Sequence, residues 1–406
     1  MKTRIFIAEG HLVDSGIMSE ILNTILAEGG DYKVLSFDIG KIKTEKSIMR
    51  LQLFCETDEQ FTLIANRLIS LGAYEEGAVE AVFRKAVKDA CVPEDFYSTT
   101  NHRSEVFTGG NWAPVHSQRM DGVIVRNNGN LVCTKLREVK KDDEVLCGSE
   151  SVRVFPPSSV KRDSGFGFMN NDVSSERSSS VNVSLIAEEM AAMKNRGKKI
   201  TVVAGPVVIH TGGAGALAGL IRGGWITGFL GGNAVAVHDL EYCFYGTSLG
   251  VDLSSGKQVA GGHYHHMRAI NRVNYYGSIK KTVDEGALQC GIMYEIVKSG
   301  IPYCLAGSIR DDGPLPETQM DMIKAQSEYA EIVKESDLIL MLSTMLHSIG
   351  TGNMTPSWVK TVCIDINPAV VTKLADRGSG QAVGIVSDVG LYLRALADKL
   401  GVEYTE

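Results

Sequence analysis

The run Ala306-Gly307-Ser308-Ile309-Arg310-Asp311-Asp312-Gly313-Pro314-Leu315-Pro316 puts one guanidinium and two carboxylates in a glycine- and proline-rich turn behind an apolar stretch. A guanidinium forks onto a carboxylate, and a carboxylate either holds an ammonium or takes its proton. Arg310 is therefore a candidate substrate contact, and Asp311 and Asp312 are candidate catalytic groups. Adjacent carboxylates also occur in plain exposed turns. A second cluster, Gly261-Gly262-His263-Tyr264-His265-His266, gathers three of the nine histidines. Imidazole titrates near neutral pH, which makes His265 a candidate for proton transfer and His263 for substrate contact. A metal centre there would need a further Cys, His or carboxylate that the spacing does not supply, so no metal is expected.

A third group of residues suits a nucleotide. Gly212-Gly213-Ala214-Gly215-Ala216-Leu217-Ala218 contains G-x-G-x-x-A, follows an apolar strand at 200–204 and opens an apolar helix. Such glycines let backbone N–H groups approach a pyrophosphate at a helix N-terminus. About twenty residues on, the alternating run Ala234–His238 reads as a strand ending at Asp239, whose carboxylate would face a ribose diol and disfavour a 2′-phosphate, selecting NAD over NADP. Glu241 is its substitute. Gly205-Pro206 and the residues up to Thr211 separate strand and glycines further than usual, and a merely structural turn is the alternative. Later strands end in Ser343-Thr344, Asp365-Ile366-Asn367-Pro368 and Ser387-Asp388, on the edge where open parallel sheets bind ligands. The same residues are also preferred helix caps.

Three stretches of chain must position these groups. Residues 1–92 read as β-α-β-β-α-β, the ferredoxin-like split motif, with helices at Ser15–Ala27 and after Asp58 and a closing strand at Val79–Arg84. Such a unit either binds an amino acid or builds an oligomer interface. Residues 93–162 are short strands joined by hairpin signals such as Asn127-Asn128-Gly129-Asn130, which suggests a small β-barrel-like domain. The serine-rich 163–184 reads as a linker. From 185 to 406 strands and helices alternate, and continuously apolar runs such as Leu338–Leu342 indicate strands buried on both faces, hence a Rossmann-like parallel sheet covered by helices. Further strands are expected at Ile200–Ala204, Pro302–Ala306, Thr361–Asp365 and Val383–Val386. The expected helices are Leu185–Arg196, Ala214–Arg222, Glu285–Lys298, Glu317–Lys334, Ala369–Asp376 and Val389–Leu400.

Bulk properties narrow the function. With 406 residues, 44% hydrophobic and 22% charged, the chain is a multidomain globular protein, and a net charge of -7 argues against a general nucleic-acid binder. No apolar run approaches a membrane span, and the N-terminus lacks the apolar core of a signal peptide, so a cytoplasmic protein is expected. The eight cysteines form no C-x-x-C pair and read as reduced, buried thiols.

The phrases TGGAGALAGLI, GNAVAVHDLE, AGSIRDDGPLPET, LSTMLHSIGTGNM and IDINPAVVTKLADRGS resemble the archaeal-type, NAD-dependent ornithine cyclodeaminases, related to the lysine-ketoglutarate reductase/saccharopine dehydrogenase bifunctional enzymes. NHRSEVF, WAPVHSQRMDGVIV and LREVKKDDEVLCG are similar to the same family's preceding domain. The resemblance implies a C-terminal domain like that of deoxyhypusine synthase and the sirtuins, and NAD as cofactor. It also implies conversion of L-ornithine to L-proline and ammonia by internal hydride borrowing, in a homo-oligomer whose partner is a small amino acid. Some cyanobacterial relatives carry an extra arginine-dihydrolase domain. This chain begins at the ferredoxin-like unit, so arginine hydrolysis is not implied. The expected cofactor set is Gly212, Gly213, Ala214, Gly215, Ala216, Asn233, Asp239, Ser343, Thr344, Asp365, Asn367 and Asp388. Asn101 and Arg119, within the quoted phrases, join Arg310 and His263 as expected substrate contacts. The alternatives are an ordinary NAD-dependent amino-acid dehydrogenase and a non-catalytic NAD sensor.

Overall fold

The computed structural model describes residues 2–13, 16–40, 45–77, 79–156, 178–252, 259, 265–311, 313–370 and 382–405. It divides into two compact units, one of residues 1–168 with 356–358 and one of the remainder.

The first unit opens with β1 (Lys2–Gly10), α1 (Ile17–Ala27), β2 (Asp31–Asp38), β3 (Ser47–Cys55), α2 (Asp58–Ser70) and β4 (Ala73–Glu75). The sheet order β2-β3-β1-β4 is that of the ferredoxin-like motif. Strand β3 alternates strictly, with Ser47, Met49, Leu51, Leu53 and Cys55 buried, so one face meets the two helices. The cap of α2 is Thr57, whose hydroxyl accepts from Gln60 N, one residue before the expected Asp58.

The closing strand is β4, not Val79–Arg84. Val82–Lys85 is instead β5 of the next sheet, paired antiparallel with β10. That sheet contains β6 (Arg103–Thr108), β7 (Asn111–His116), β8 (Gly122–Asn127), β9 (Asn130–Lys135), β10 (Glu144–Cys147) and β11 (Val152–Phe155). Its order is β11-β6-β7-β9-β8-β10-β5, and Ala81 N donates to Phe107 O, bringing the β5 edge back beside β6. The sheet therefore curls on itself in the barrel-like manner expected. The stretches drawn as 1–92 and 93–162 share one hydrophobic cluster, in which Phe6, Ile21, Leu53 and Leu68 join Val106, Ile124, Leu131 and Leu146. Residues 163–177 of the expected linker lie outside the described residues, and 178–184 belong to a helix.

The second unit begins with α3 (Ser178–Asn195), seven residues ahead of the expected start. It continues through β12 (Ile200–Ala204), α4 (Val207–His210), α5 (Ala214–Arg222), β13 (Gly228–Gly232), α6 (Asn233–Tyr245), β14 (Thr247–Ser248) and β15 (Val251–Asp252). Next come α7 (His265–Tyr276), α8 (Ile279–Asp284), α9 (Ile292–Ser299), β16 (Tyr303–Ala306), β17 (Thr318–Gln319), α10 (Met322–Lys334) and β18 (Leu338–Leu342). The unit ends with α11 (Met345–Met354), β19 (Lys360–Asp365), β20 (Ala382–Val386) and α12 (Val389–Lys399).

The sheet order is β17-β16-β13-β12-β18-β19-β20, and every pairing is parallel. All five residues of β12, of β13 and of β18 are buried, because helices cover both faces. The expected strand Ala234–His238 is a correction: those residues lie inside α6, and the strand is the preceding Gly228–Gly232. The alternation Ala-Val-Ala-Val imitates a strand, yet the buried set Val235, Ala236, Val237 and Leu240 fits a helix buried on several sides. The single helix expected over 285–298 is broken at Gly286 (φ +73) and Gly291 (φ +96), both in backbone that favours glycine. Helix α10 starts at Met322, where the Asp321 carboxylate caps Ile323 N and Lys324 N. The stretch 371–376 of the expected helix Ala369–Asp376 lies outside the described residues. All eight cysteines are free thiols, and no helix among the described residues is long and apolar enough to cross a membrane.

Candidate functional site

Strand order reverses between β12 and β18: from β12 the chain moves one way to β13 and β16, and from β18 the other way to β19 and β20. At such a switch point the loops beyond the two strands diverge and leave a crevice at the C-terminal edge. Gly205, directly after β12, lies so close to β18 that a methyl group on it would sit 2.3 Å from the Ser343 carbonyl oxygen. Ser343 itself has a left-handed backbone (φ +47), a conformation uncommon outside glycine that collects at functional turns. Strand β13 ends in Gly231 and Gly232, with Asn233 next, and a methyl on Gly232 would meet the His347 ring at 2.9 Å. The edge is thus lined by bare backbone, which suits close approach of a flat or phosphorylated ligand.

The glycine run expected to cradle the pyrophosphate stands one short helix away from this edge. Helix α4 intervenes between β12 and Gly212. Gly212 is left-handed (φ +69), and a methyl on Gly213 would meet Leu393 Cδ1 at 3.0 Å and Gly390 Cα at 3.1 Å. The Arg394 guanidinium donates to the carbonyls of Thr211 (3.0 Å) and Gly212 (2.8 Å), and Ala214 and Ala216 are buried. Packing of α5 against α12 therefore accounts for Gly212 and Gly213, and the turn that meets the strand end is Gly205-Pro206.

Asp239 does not end a strand. It sits within α6, fully buried, and its two carboxylate oxygens accept from Ile292 N (2.9 Å) and Met293 N (2.8 Å). It caps the N-terminus of α9, and burial pushes its carboxyl up to about 6 against those two hydrogen bonds. Asn233 is likewise committed inward: its side-chain oxygen accepts from Leu315 N (3.0 Å) and Thr318 Oγ1 (2.9 Å), pinning the turn beyond β16.

That turn carries Arg310 and Asp311; Asp312 lies outside the described residues. Arg310 is exposed, and its backbone N–H donates to Ser308 Oγ. Asp311 is half-buried and accepts from Ser308 N at 2.6 Å. Its charge acts on a residue outside the expected set, His347 in the first turn of α11. Thr344 Oγ1 lies 3.1 Å from its Nδ1, and the Tyr329 ring centroid lies 6.3 Å from its own. Burial pushes the His347 pKa down, offset in part by the charge of Asp311, so the imidazole is neutral near pH 7 and can accept a proton. Its only signal in the sequence was membership of the phrase LSTMLHSIGTGNM.

The remaining edge residues keep both readings. Asp365 Oδ1 accepts from Asn367 N (2.8 Å), Asn367 Oδ1 from Ala369 N (3.0 Å), and Asp388 Oδ1 from Leu391 N (2.8 Å). Each caps the turn or helix beyond its strand. Ser343 and Thr344 begin α11 without a side-chain cap.

A second polar cluster gathers around Glu241, which is 0% exposed. Glu241 Oε1 accepts from Thr247 Oγ1 and Gly250 N, both at 2.9 Å, and Oε2 lies 3.3 Å from His266 Nδ1 and 4.0 Å from His238 Nδ1. Burial raises its pKa, but the hydrogen bonds from His266, Gly250 N, Thr247 and Leu249 N outweigh this and hold it below the usual range. The Ser248 hydroxyl lies between His238 Nδ1 (3.0 Å) and His210 Nδ1 (2.9 Å). Expected His265 joins through Thr247 Oγ1 (2.8 Å) and stacks on Tyr245, whereas His263 lies outside the described residues. His210 in α4, His238 with Glu241 in α6, and His266 in α7 come from three separate stretches of chain, and no local spacing announced their convergence.

Asn101 and Arg119 belong to the first unit. The side chain of Asn101 is buried, Arg119 is half-buried, and their segments are tied by Thr99 Oγ1 to Arg119 O (2.7 Å) and Gln118 Nε2 to Thr100 O (2.6 Å). Burial pushes the Arg119 guanidinium pKa down.

Three family descriptions tile the chain. Residues 3–102 match the LOR/SDH bifunctional enzyme conserved region, and residues 103–183 match the first C-terminal region of the ArgZ-like arginine dihydrolases. Residues 184–396 match the Rossmann fold of those proteins. The ornithine cyclodeaminase of Methanocaldococcus jannaschii is 49% identical over 96% of this chain and 94% of its own length. The chain belongs to the ornithine cyclodeaminase family. A larger family member, the bifunctional arginine dihydrolase/ornithine cyclodeaminase AgrE of Nostoc, is 46% identical over 98% of this chain, which spans 58% of that protein. Among solved structures of the family, apo ArgZ, a cyanobacterial arginine dihydrolase, superposes with a TM-score of 0.86 at 42% identity, covering 98% of this chain and 58% of ArgZ. The ternary complex of AgrE with ornithine and NAD+ aligns at 45% identity over 98% of this chain and 57% of AgrE, with a TM-score of 0.55.

Proposed function

We propose that the chain is an NAD-dependent ornithine cyclodeaminase, converting L-ornithine to L-proline and ammonia. The observation that carries this reading is the match, over 98% of this chain and 57% of AgrE, to an enzyme crystallised with ornithine and NAD+, on a chain whose own sheet edge is lined by Gly205, Gly231 and Gly232. In this reading the pyrophosphate lies over Gly205 and the Ser343-Thr344 turn, and the adenosine ribose lies toward Asp365, Asn367 and Asp388. The Gly212–Ala216 run supports the edge from behind. Asp365, not Asp239, is then the carboxylate that disfavours a 2′-phosphate.

NAD when bound supplies an acceptor for the substrate's α-hydride and returns it, so the reaction has no net redox change. The rest is the chain's own work. Arg310 takes the α-carboxylate and Asp311 an ammonium group, with Asp312 completing the charge match to a substrate carrying one anion and two cations. The neutral imidazole of His347 takes a proton from the α-ammonium, and Thr344 fixes the ring. Asn233 holds the 315–318 segment, keeping the Arg310–Asp311 turn in place.

The decisive assay supplies ornithine and NAD and follows proline, ammonia and NADH absorbance together. Proline and ammonia in equal amounts without NADH accumulation is the expected result. Stoichiometric NADH would make the chain an ordinary amino-acid dehydrogenase, and NAD binding without ammonia release would make it a sensor.

A further inference from the structure

Spacing alone left the histidine-rich segment 263–266 short of ligands for a metal; the fold supplies them. His238 and Glu241 are three residues apart on α6, which puts both on one helix face, and α7 brings His266 against them. One ligand atom from each of the three lies within 4.8 Å of the others. We propose that His238, Glu241 and His266 hold a divalent first-row transition-metal ion, with zinc as the best fit.

Four observations carry this. The first is distance. Ligand atoms about 2.0–2.1 Å from a tetrahedral ion are roughly 3.3–3.4 Å apart. The Glu241–His266 separation is already 3.3 Å, and the Glu241–His238 separation of 4.0 Å closes when His238 Nδ1 exchanges its Ser248 contact for the ion. The second is ligand chemistry: two imidazoles and one carboxylate suit zinc, and three protein ligands leave one position for water or a small ligand. The third is the outer hydrogen bonding. Glu241 Oε1 is fixed by Thr247 Oγ1 and Gly250 N, which turns Oε2 toward the histidines. Metal ligands are ordinarily oriented in this way by a second layer of hydrogen bonds. The fourth is charge. Glu241 is fully buried and its ion-pair partners among the described residues are these two imidazoles, so a dication neutralises it without requiring protons.

The site is independent of the NAD reading, and its test needs neither NAD nor ornithine. The full chain, stripped with a chelator and dialysed, is titrated with zinc chloride by calorimetry. One equivalent should bind tightly, and His266→Ala and Glu241→Gln should each raise Kd by at least about a hundredfold. His116→Ala, a histidine of the first unit, should leave Kd unchanged, and far-ultraviolet circular dichroism accompanies each variant. X-ray absorption on zinc-loaded wild type should show two imidazoles, only nitrogen and oxygen neighbours, and no sulfur. The proposal is overturned if wild type takes up no stoichiometric zinc, if His266→Ala binds as tightly as wild type, or if absorption shows a sulfur ligand such as Cys243. A variant that fails to fold leaves the absorption measurement on wild type to decide.

Discussion

Two carboxylates of the same domain, Asp239 within α6 and Asp365 at the end of β19, show how position overrides residue type. Asp239 has the spacing of a ribose ligand but spends both oxygens on the backbone of α9. Asp239→Ala strands two buried N–H groups, and at roughly 1–3 kcal/mol for each unsatisfied donor the loss of stability should reach about 2 kcal/mol or more. Urea unfolding measures this, and the NAD-to-NADP affinity ratio should not move. Asp365→Asn should narrow that ratio in calorimetric titrations; an unchanged ratio would remove Asp365 from the ribose site. His347→Asn carries the sharpest consequence for turnover. Loss of a general base typically costs about 10²–10⁴-fold, so kcat for proline formation should fall by that amount while NAD still binds. Near-normal turnover would return the role to His265 and the Glu241 cluster.

Among the elements, the contact of α5 with α12 decides what the glycine run is for. A methyl on Gly390 would lie 2.1 Å from the Thr211 carbonyl oxygen, and the partner atom is backbone that cannot swing aside. Gly390→Ala should therefore push α12 off the Thr211–Gly213 turn that leads into α5 and cost about 1–3 kcal/mol, read as a lower midpoint in chemical unfolding. If the glycines served only a ligand, that variant would keep wild-type stability. The same close packing explains why α4 can stand between β12 and α5 without harm: α5 is located by the helix that covers it, not by a short turn from the strand.

At the scale of the whole molecule, a reaction that takes a hydride and gives it back requires that the substrate stay bound while the intermediate exists and that water stay out. With ornithine deuterated at the α-carbon, the proline formed should keep the deuterium at its own α-carbon, and added unlabelled NADH should not dilute it. Mass spectrometry of the product measures this, and extensive wash-out would show that the intermediate or the reduced cofactor escapes between the two transfers.

Much of this protein was legible without coordinates. The continuous apolar runs at 200–204 and 338–342 and the alternation at 47–55 dictated a buried parallel sheet and a one-faced antiparallel one, because burial on two faces or one leaves those periods in the residues themselves. The C-terminal edge of the sheet was legible too, since Ser343, Asp365 and Asp388 must follow strands that run the same way. What local pattern could not decide was any outcome settled by a partner far along the chain. Ala234–His238 alternates like a strand, and only its surroundings on several sides made it a helix. Val82–Lys85 is a strand in either sheet, and the register with β10 chose the second. His347 comes under the charge of Asp311, and Glu241 meets His266, across loops whose lengths carry no record of the encounter. Secondary structure rests on near neighbours and on the period of burial, whereas a site of charged and imidazole groups exists only where the fold brings distant segments within hydrogen-bond reach.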